Sequence, residues 1–317
     1  MGEHAKITTY PAKENAGWLD YMKNLVMMIR VAHWAKNLFL FIPVFFAGKF
    51  FSTDRLWDVL MGAGAFSLIA SGIYILNDIK DLKNDRLHPV KQYRAIASGR
   101  IPIKVAVPVM LICIASGLVI GSICSLKFLL VLALYLILNI CYSLGLKNIS
   151  ILDIMILSAG FVLRIKAGGI LAHVGISQWL TIMVFLLALF LALGKRRDDI
   201  LASASSGYGI RQAMSGYNLD FLNSSIAVVS AIMMMAYIMY TLSPDVIRHM
   251  GTHRIYYTGA FVFAGLLRYL QVIYIYKDTR SPIRILYQDH FTQICIFLWG
   301  LSFYCLIYIK DLSFSPI

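Results

Sequence analysis

Continuous apolar runs of about twenty residues recur along this 317-residue chain, and no other feature constrains its fold as much. A run of that length spans a bilayer core of about 30 Å as a helix whose backbone groups bond internally. Nine runs are discernible, at 37–52, 59–77, 101–122, 127–145, 150–171, 177–194, 224–243, 256–276 and 291–309. The first is short unless the preceding LVMMIRVAHWAK joins it or lies along the interface. None alternates with the period of two that marks a membrane β-strand. Only 14% of residues are charged, against about 25% in soluble domains. The expected fold is therefore all-α: a polytopic membrane protein built as a bundle of nine transmembrane helices.

Charge placement gives the orientation and argues against a nucleic-acid partner. The formal net charge is +13, but the cations sit at the ends of the apolar runs, where they orient a membrane protein. With the N-terminus inside, the inner connections hold 20 Lys and Arg and the outer ones 6. The positive-inside rule then predicts a cytoplasmic N-terminus and an external C-terminus in a bacterial inner membrane. The polar first twenty residues lack the apolar centre and cleavage site of a signal peptide and are expected to be retained. Residues 1–36 read as a cytoplasmic or interfacial segment, and 37–317 as one transmembrane catalytic domain. The five cysteines show neither zinc nor redox spacing and read as small buried hydrophobes.

The stretch NDIKDLKNDRLHPVKQYRAIASGR, residues 77–100, follows the second run directly and carries three Asp and six Lys or Arg. Charges at a membrane edge are costly unless they face water or one another. Asp78, Asp81 and Asp85 are spaced i, i+3, i+7, so a continuing helix would place all three on one face. Carboxylates so close repel unless a cation lies among them. Mg²⁺ suits such a group, taking one or two carboxylates together with substrate phosphates and water. Asn77 adds a neutral oxygen. A solvated loop with Asp residues paired to Lys80, Lys83 and Arg86 is the alternative, although surface pairs contribute little. Arg86, His88, Lys91, Arg94 and Arg100 follow, and this mixture suits a polyphosphate: acids for the metal, cations for the remaining oxygens.

Three further stretches place polar groups near the same face. RVAHWAKN carries Arg30, His33, Lys36 and Asn37; YSLGLKNISILD carries Tyr142, Lys147 and Asp153; LGKRRDDI carries Lys195, Arg196, Arg197, Asp198 and Asp199. Asp153 and Arg164 share a face of the fifth run three turns apart, as a functional or a structural ion pair.

The pattern N-D-x-x-D-x-x-x-D from Asn77 to Asp85, closing the second of nine runs, resembles the first aspartate motif of the UbiA superfamily of intramembrane prenyltransferases. That resemblance implies an all-helical bundle around a polar cavity open to the cytoplasm and sideways into lipid. It also implies Mg²⁺ held by Asn77, Asp78, Asp81 and Asp85 and bridged to a diphosphate. WAKN at Trp34–Asn37, the stretch 74–99, YSLGLK at 142–147 and GKRR at 194–197 are similar to one branch, the polyprenyl-phosphate phosphoribosyltransferases. This branch moves 5-phosphoribose from phosphoribosyl pyrophosphate to a polyprenyl (decaprenyl) phosphate, a step toward cell-wall arabinan.

The aromatic prenyltransferases of the superfamily, the alternative reading, carry a second D-x-x-x-D motif where this chain has K-R-R-D-D-I. Two anionic substrates need more cations than a neutral aromatic acceptor does. On this resemblance Lys91 and Arg94 meet the donor's phosphates, and Tyr74 and Tyr142 line the pocket. Lys36, Lys147, Arg164, Lys195 and Arg196 meet the acceptor phosphate or the ribose 5-phosphate. A transporter is the non-enzymatic alternative, and would carry its charges at mid-membrane depth.

Overall fold

Long runs of Leu, Ile, Val, Ala and Met satisfy their backbone only as helices once water is absent, and the structure, a computed structural model, is helical accordingly. It describes residues 17–88, 90–206, 215–275 and 288–309, and no strand occurs among them. The chain opens with α1 (Trp18–Ile29), a 3-10 stretch (Val31–Phe41) and α2 (Ile42–Phe46). Then come α3 (Thr53–Lys80), α4 (Leu82–Leu87), α5 (Ile103–Cys124), α6 (Leu126–Leu144) and α7 (Leu152–Leu171). The remainder comprises α8 (Gln178–Ser206), α9 (Leu219–Leu242), α10 (Pro244–Met250), α11 (Gly259–Tyr274) and α12 (His290–Tyr308).

Among the described residues seven helices are long and apolar enough to cross a bilayer. An eighth span arises if Trp18–Ile29 and Val31–Phe46, bent by 41° about Arg30, count as one. The expectation of nine is thus met only in part. The run at 37–52 is no straight helix: it joins α1 through the 3-10 stretch. The run at 256–276 becomes a 3-10 turn (Arg254–Thr258) and the 16-residue α11. At 1.5 Å per residue α11 falls short of a core about 30 Å thick. The basic connection 277–284 and residues 207–214 of the second charged loop, 195–223, lie outside the described residues.

Two apolar cores flank α7. One joins α3, α6, α7 and the 3-10 stretch through Leu40, Phe66, Phe128, Leu132 and Ala167. The other joins α7, α8, α9 and α11 through Ile154, Phe190, Leu222, Met233 and Tyr269. The first and last spans meet as well. Phe46 and Phe303 pack edge to face at 5.1 Å, and the Tyr308 hydroxyl donates to the Phe45 carbonyl at 2.8 Å. The charged connections 77–100 and 145–152 and the far end of α8 gather at one end of this bundle.

Candidate functional site

The site is built outward from α3. Ser67, Ser71, Tyr74 and Asp78 recur at four and three residues, so they form one face of the helix. That face meets the 3-10 stretch. Trp34 Nε1 donates to Ser71 Oγ at 3.0 Å and Asn37 Nδ2 to Ser67 Oγ at 2.8 Å. The Arg30 guanidinium lies 4.9 Å from the Tyr74 ring centre and donates to Asp78 Oδ1 at 2.5 Å. In a 3-10 helix side chains three apart eclipse one another. His33, Lys36 and Phe39 therefore stand in one row, headed by Arg30, the left-handed residue (φ 54°, ψ 51°) that precedes the stretch. His33 reaches the Tyr74 ring at 5.2 Å, and Phe39 meets Phe161 of α7 at 4.9 Å. The row runs from the charged end of the bundle into its apolar interior.

The three motif aspartates do not share one continuous helix face, which corrects the expectation drawn from their spacing. The helix stops at Lys80, Asp81 takes φ −85° and ψ 4°, and α4 begins at Leu82. The break sends the carboxylates to different partners. Lys147 Nζ donates to Asp81 Oδ1 at 2.5 Å and to Asn77 Oδ1 at 3.0 Å. Asp78 and Asp85, both buried, accept from the same nitrogen of Arg94 at 3.0 and 2.6 Å. The connection that carries Arg94 is itself anchored. Ala95, Ile96 and Ile101 are buried with Ile75 and Met28, and Arg86 Nε donates to the Ala97 carbonyl at 3.3 Å.

Two carboxylates converging on one cationic point fit a divalent ion such as Mg²⁺, which completes its shell with phosphate and water. No group of three His, Cys, Asp or Glu among the described residues stands close enough to hold a metal alone. The arrangement therefore suits a metal that arrives with its phosphates better than a permanent protein cage. Asn77 and Asp81 border the same place but are engaged by Lys147.

Lys36 is half-buried and lies within electrostatic reach of Arg164 and Arg30. Lys195 is exposed, and with Lys36, Arg30 and Arg94 it lies within reach of His33. Lys91 is exposed on a short turn, where its backbone N–H donates to His88 Nδ1 at 3.3 Å. His88 is held below its ordinary pKa by partial burial and then by Lys91, against the pull of Asp85.

Arg164 and Asp153 do not pair. Eleven residues of helix separate them by about 16 Å, and each has other partners. Arg164 donates to Asn37 Oδ1 at 2.9 Å, the Gly160 carbonyl at 2.9 Å and the Tyr135 hydroxyl at 2.8 Å. Arg196, buried, donates to Asp153 at 2.7 Å and Asp199 at 2.9 Å, and Tyr142 lies within its electrostatic reach. Sequence reasoning singled out no role for Tyr135 or Tyr217 and gave Arg30 none beyond its position. The period of three from Arg30 to Phe39 was the available signal for Arg30; nothing local marks the two tyrosines.

The UbiA prenyltransferase family profile matches residues 38–301. A decaprenyl-phosphate phosphoribosyltransferase of Mycolicibacterium smegmatis is 31% identical over 77% of this chain and 76% of its own length. One of the same name from Corynebacterium glutamicum is 28% identical over 91% of this chain and 88% of its own. Among solved structures, a UbiA homolog from Archaeoglobus fulgidus bound to GPP and Mg²⁺ superposes with a TM-score of 0.69. It shares 18% identity, and the match covers 90% of this chain and 99% of that one. The bundle, its aspartate-bearing helix end and these likenesses agree, and the chain belongs to the UbiA prenyltransferase family.

Proposed function

We propose that this protein transfers 5-phosphoribose from phosphoribosyl pyrophosphate to a polyprenyl phosphate such as decaprenyl phosphate, releasing diphosphate, as a step in cell-wall glycan synthesis. One observation carries the reading: the site holds more cations than its three motif carboxylates can neutralise. Arg30, Arg94 and Lys147 already engage the three aspartates, and Lys36 stands beyond them within reach of His33. Two anionic substrates require such a surplus, and a neutral aromatic acceptor does not. The relatives named as phosphoribosyltransferases support the same choice.

Asp78 and Asp85, with Asp81 and Asn77 beside them, would hold Mg²⁺ against the donor's diphosphate. The ion's contribution is to neutralise charge on the departing group. Arg94 and Lys147, already at that point, turn from carboxylate to phosphate oxygens as the donor enters. Lys91 at the rim meets the same group, and Tyr74 and Tyr142 wall the pocket. The C1–O bond to diphosphate breaks as C1 gains oxocarbenium character. A phosphate oxygen of the acceptor forms the new C1–O bond from the opposite face. That oxygen is anionic near neutral pH, so the chain need supply no strong base; positioning and fixed charge do the work.

Lys36 leads the acceptor side, with Lys195 beside it and Arg164 fixing Asn37 next to it. Arg196 contributes by holding Asp153. The polyprenyl tail leaves between apolar spans into lipid. Residues 37–317 act as one catalytic domain, with the site on the cytoplasmic face.

The test is a paired assay in detergent with Mg²⁺. One tube holds labelled phosphoribosyl pyrophosphate and decaprenyl phosphate; the other holds labelled prenyl diphosphate and 4-hydroxybenzoate. A lipid-soluble phosphoribose product that Asp81→Ala reduces at least about 100-fold, the scale of losing a charge-stabilising group, is the expected result. Product in the second tube alone overturns the assignment in favour of an aromatic prenyltransferase.

A further inference from the structure

Between the 3-10 turn that carries Lys147 (Leu146–Asn148) and α7 the backbone is strained. Ile151 has φ 69° and ψ −49°, and the Leu152 N–H donates to the Ser150 carbonyl at 2.8 Å. This is a γ-turn of the rare positive-φ hand, centred on a β-branched residue that disfavours it sterically. Such a conformation persists only where its surroundings over-determine it, and it concentrates at functional positions.

Here the surroundings come from the second charged loop. The Ile151 N–H donates to the Tyr217 hydroxyl at 2.6 Å, and that hydroxyl donates to Asp153 Oδ1 at 2.6 Å. Asp153, with no exposed surface, accepts from Arg196 Nε on its other oxygen at 2.7 Å. Gly216 lies so close that a Cβ there would stand 2.1 Å from Ser150 Oγ. Tyr217 is tied in turn to the start of α9, stacking on Phe221 at 6.0 Å beside the Asn218 cap. Burial and the bond to Asp153 hold the phenol above its ordinary pKa.

We propose that Tyr217 is a positioning residue for the reaction: with Asp153 and Arg196 it clamps the strained turn at Ile151 and so aims Lys147 at Asn77 and Asp81. The inference rests on the reading above that Lys147 stands at the diphosphate end of the site. It gives the buried pair Arg196–Asp153 a role in shaping the site from outside. It also joins the two charged loops into one device.

The experiment combines turnover with hydrogen exchange on the full chain in detergent. Tyr217→Phe removes one oxygen and is expected to lower kcat about 10- to 100-fold, the scale of a misplaced contact. Glycine adopts positive φ without steric cost, so Ile151→Gly in the Tyr217→Phe background is expected to recover most of that loss. A purely structural defect would not recover this way. Adding Tyr217→Phe to Lys147→Met is expected to change nothing further, because both act through one group. Additive losses, or no recovery with glycine, overturn the proposal.

The exchange arm needs no substrate. Tyr217→Phe is expected to speed exchange in residues 149–155, and unchanged protection there overturns the clamp itself. If the wild-type protein turns over neither donor while this segment opens in the variant, the substrate reading fails and the clamp stands.

Discussion

Lys36 differs from the other cations of the site in what it touches. Arg30, Arg94, Lys147 and Arg196 each engage a carboxylate, and Arg164 is held by Asn37, Gly160 and Tyr135. Lys36 makes no hydrogen bond or ion pair with any described residue, and the charged groups that act on it, Arg164 and Arg30, are cations. A half-buried ammonium among like charges is costly unless an anion joins it. Lys36→Met should therefore raise the KM for the lipid phosphate about 10-fold or more, from loss of one charged hydrogen bond. The KM for the sugar donor should move less than about threefold, since Arg94 and Lys147 remain; steady-state kinetics varying each substrate in turn checks both. The sequence named Lys36 through the W-x-K-N pattern, yet the row it belongs to was hidden. An α-helix advances 100° per residue, so positions 33, 36 and 39 would drift apart around its surface. Only the 3-10 form aligns them.

At the scale of elements, the sequence was legible wherever an apolar run formed a plain helix, as in α3, α5, α6, α7 and α9. It was not legible where helices break. Nothing in the spacing of Asp78, Asp81 and Asp85 announces that α3 ends between the first two, because an Asp at a helix end looks the same as one along a face. The 3-10 stretch is the other break, and its seat against α7 is tight. A Cβ on Gly168 would stand 2.0 Å from the Leu40 carbonyl oxygen, a backbone atom that no side-chain rotation can move aside. Gly168 lies one turn from Arg164, and Leu40 one 3-10 turn from Asn37, so that contact sets the depth of the Asn37–Arg164 bond. Gly168→Ala should cost about 1–3 kcal/mol, as overpacking does. It should also lower turnover, because the row from Arg30 to Phe39 moves with its neighbour. Gly64, with open space around its Cα, is the matched control: alanine there should leave turnover unchanged and should not lower the melting temperature.

For the whole molecule, the charge arrangement decides how folding would depend on the proposed Mg²⁺. A metal site made of bare, clustered carboxylates stabilises its protein only when filled, since the acids otherwise repel. This site differs: Asp78, Asp81 and Asp85 are each neutralised by a cation from another element. Arg30 comes from the bend after α1, Arg94 from the connection after α4, and Lys147 from the turn after α6. The ion pairs thus link distant parts of the chain before any ligand arrives. Chelation with EDTA should therefore abolish turnover while lowering the melting temperature of the ligand-free protein by less than about 2 °C, below the shift that 1 kcal/mol produces in a domain of 150–250 residues. Adding Mg²⁺ alone should restore little thermal stability, because Arg94 must first leave Asp78 and Asp85. Adding Mg²⁺ with phosphoribosyl pyrophosphate should raise the melting temperature clearly, since the phosphates give Arg94 and Lys147 new partners and binding to the folded state stabilises it. Thermal shift in detergent across these four conditions checks the prediction. A large stabilisation by Mg²⁺ alone would show instead that the carboxylates hold the ion without substrate, and that the cations are displaced at little cost.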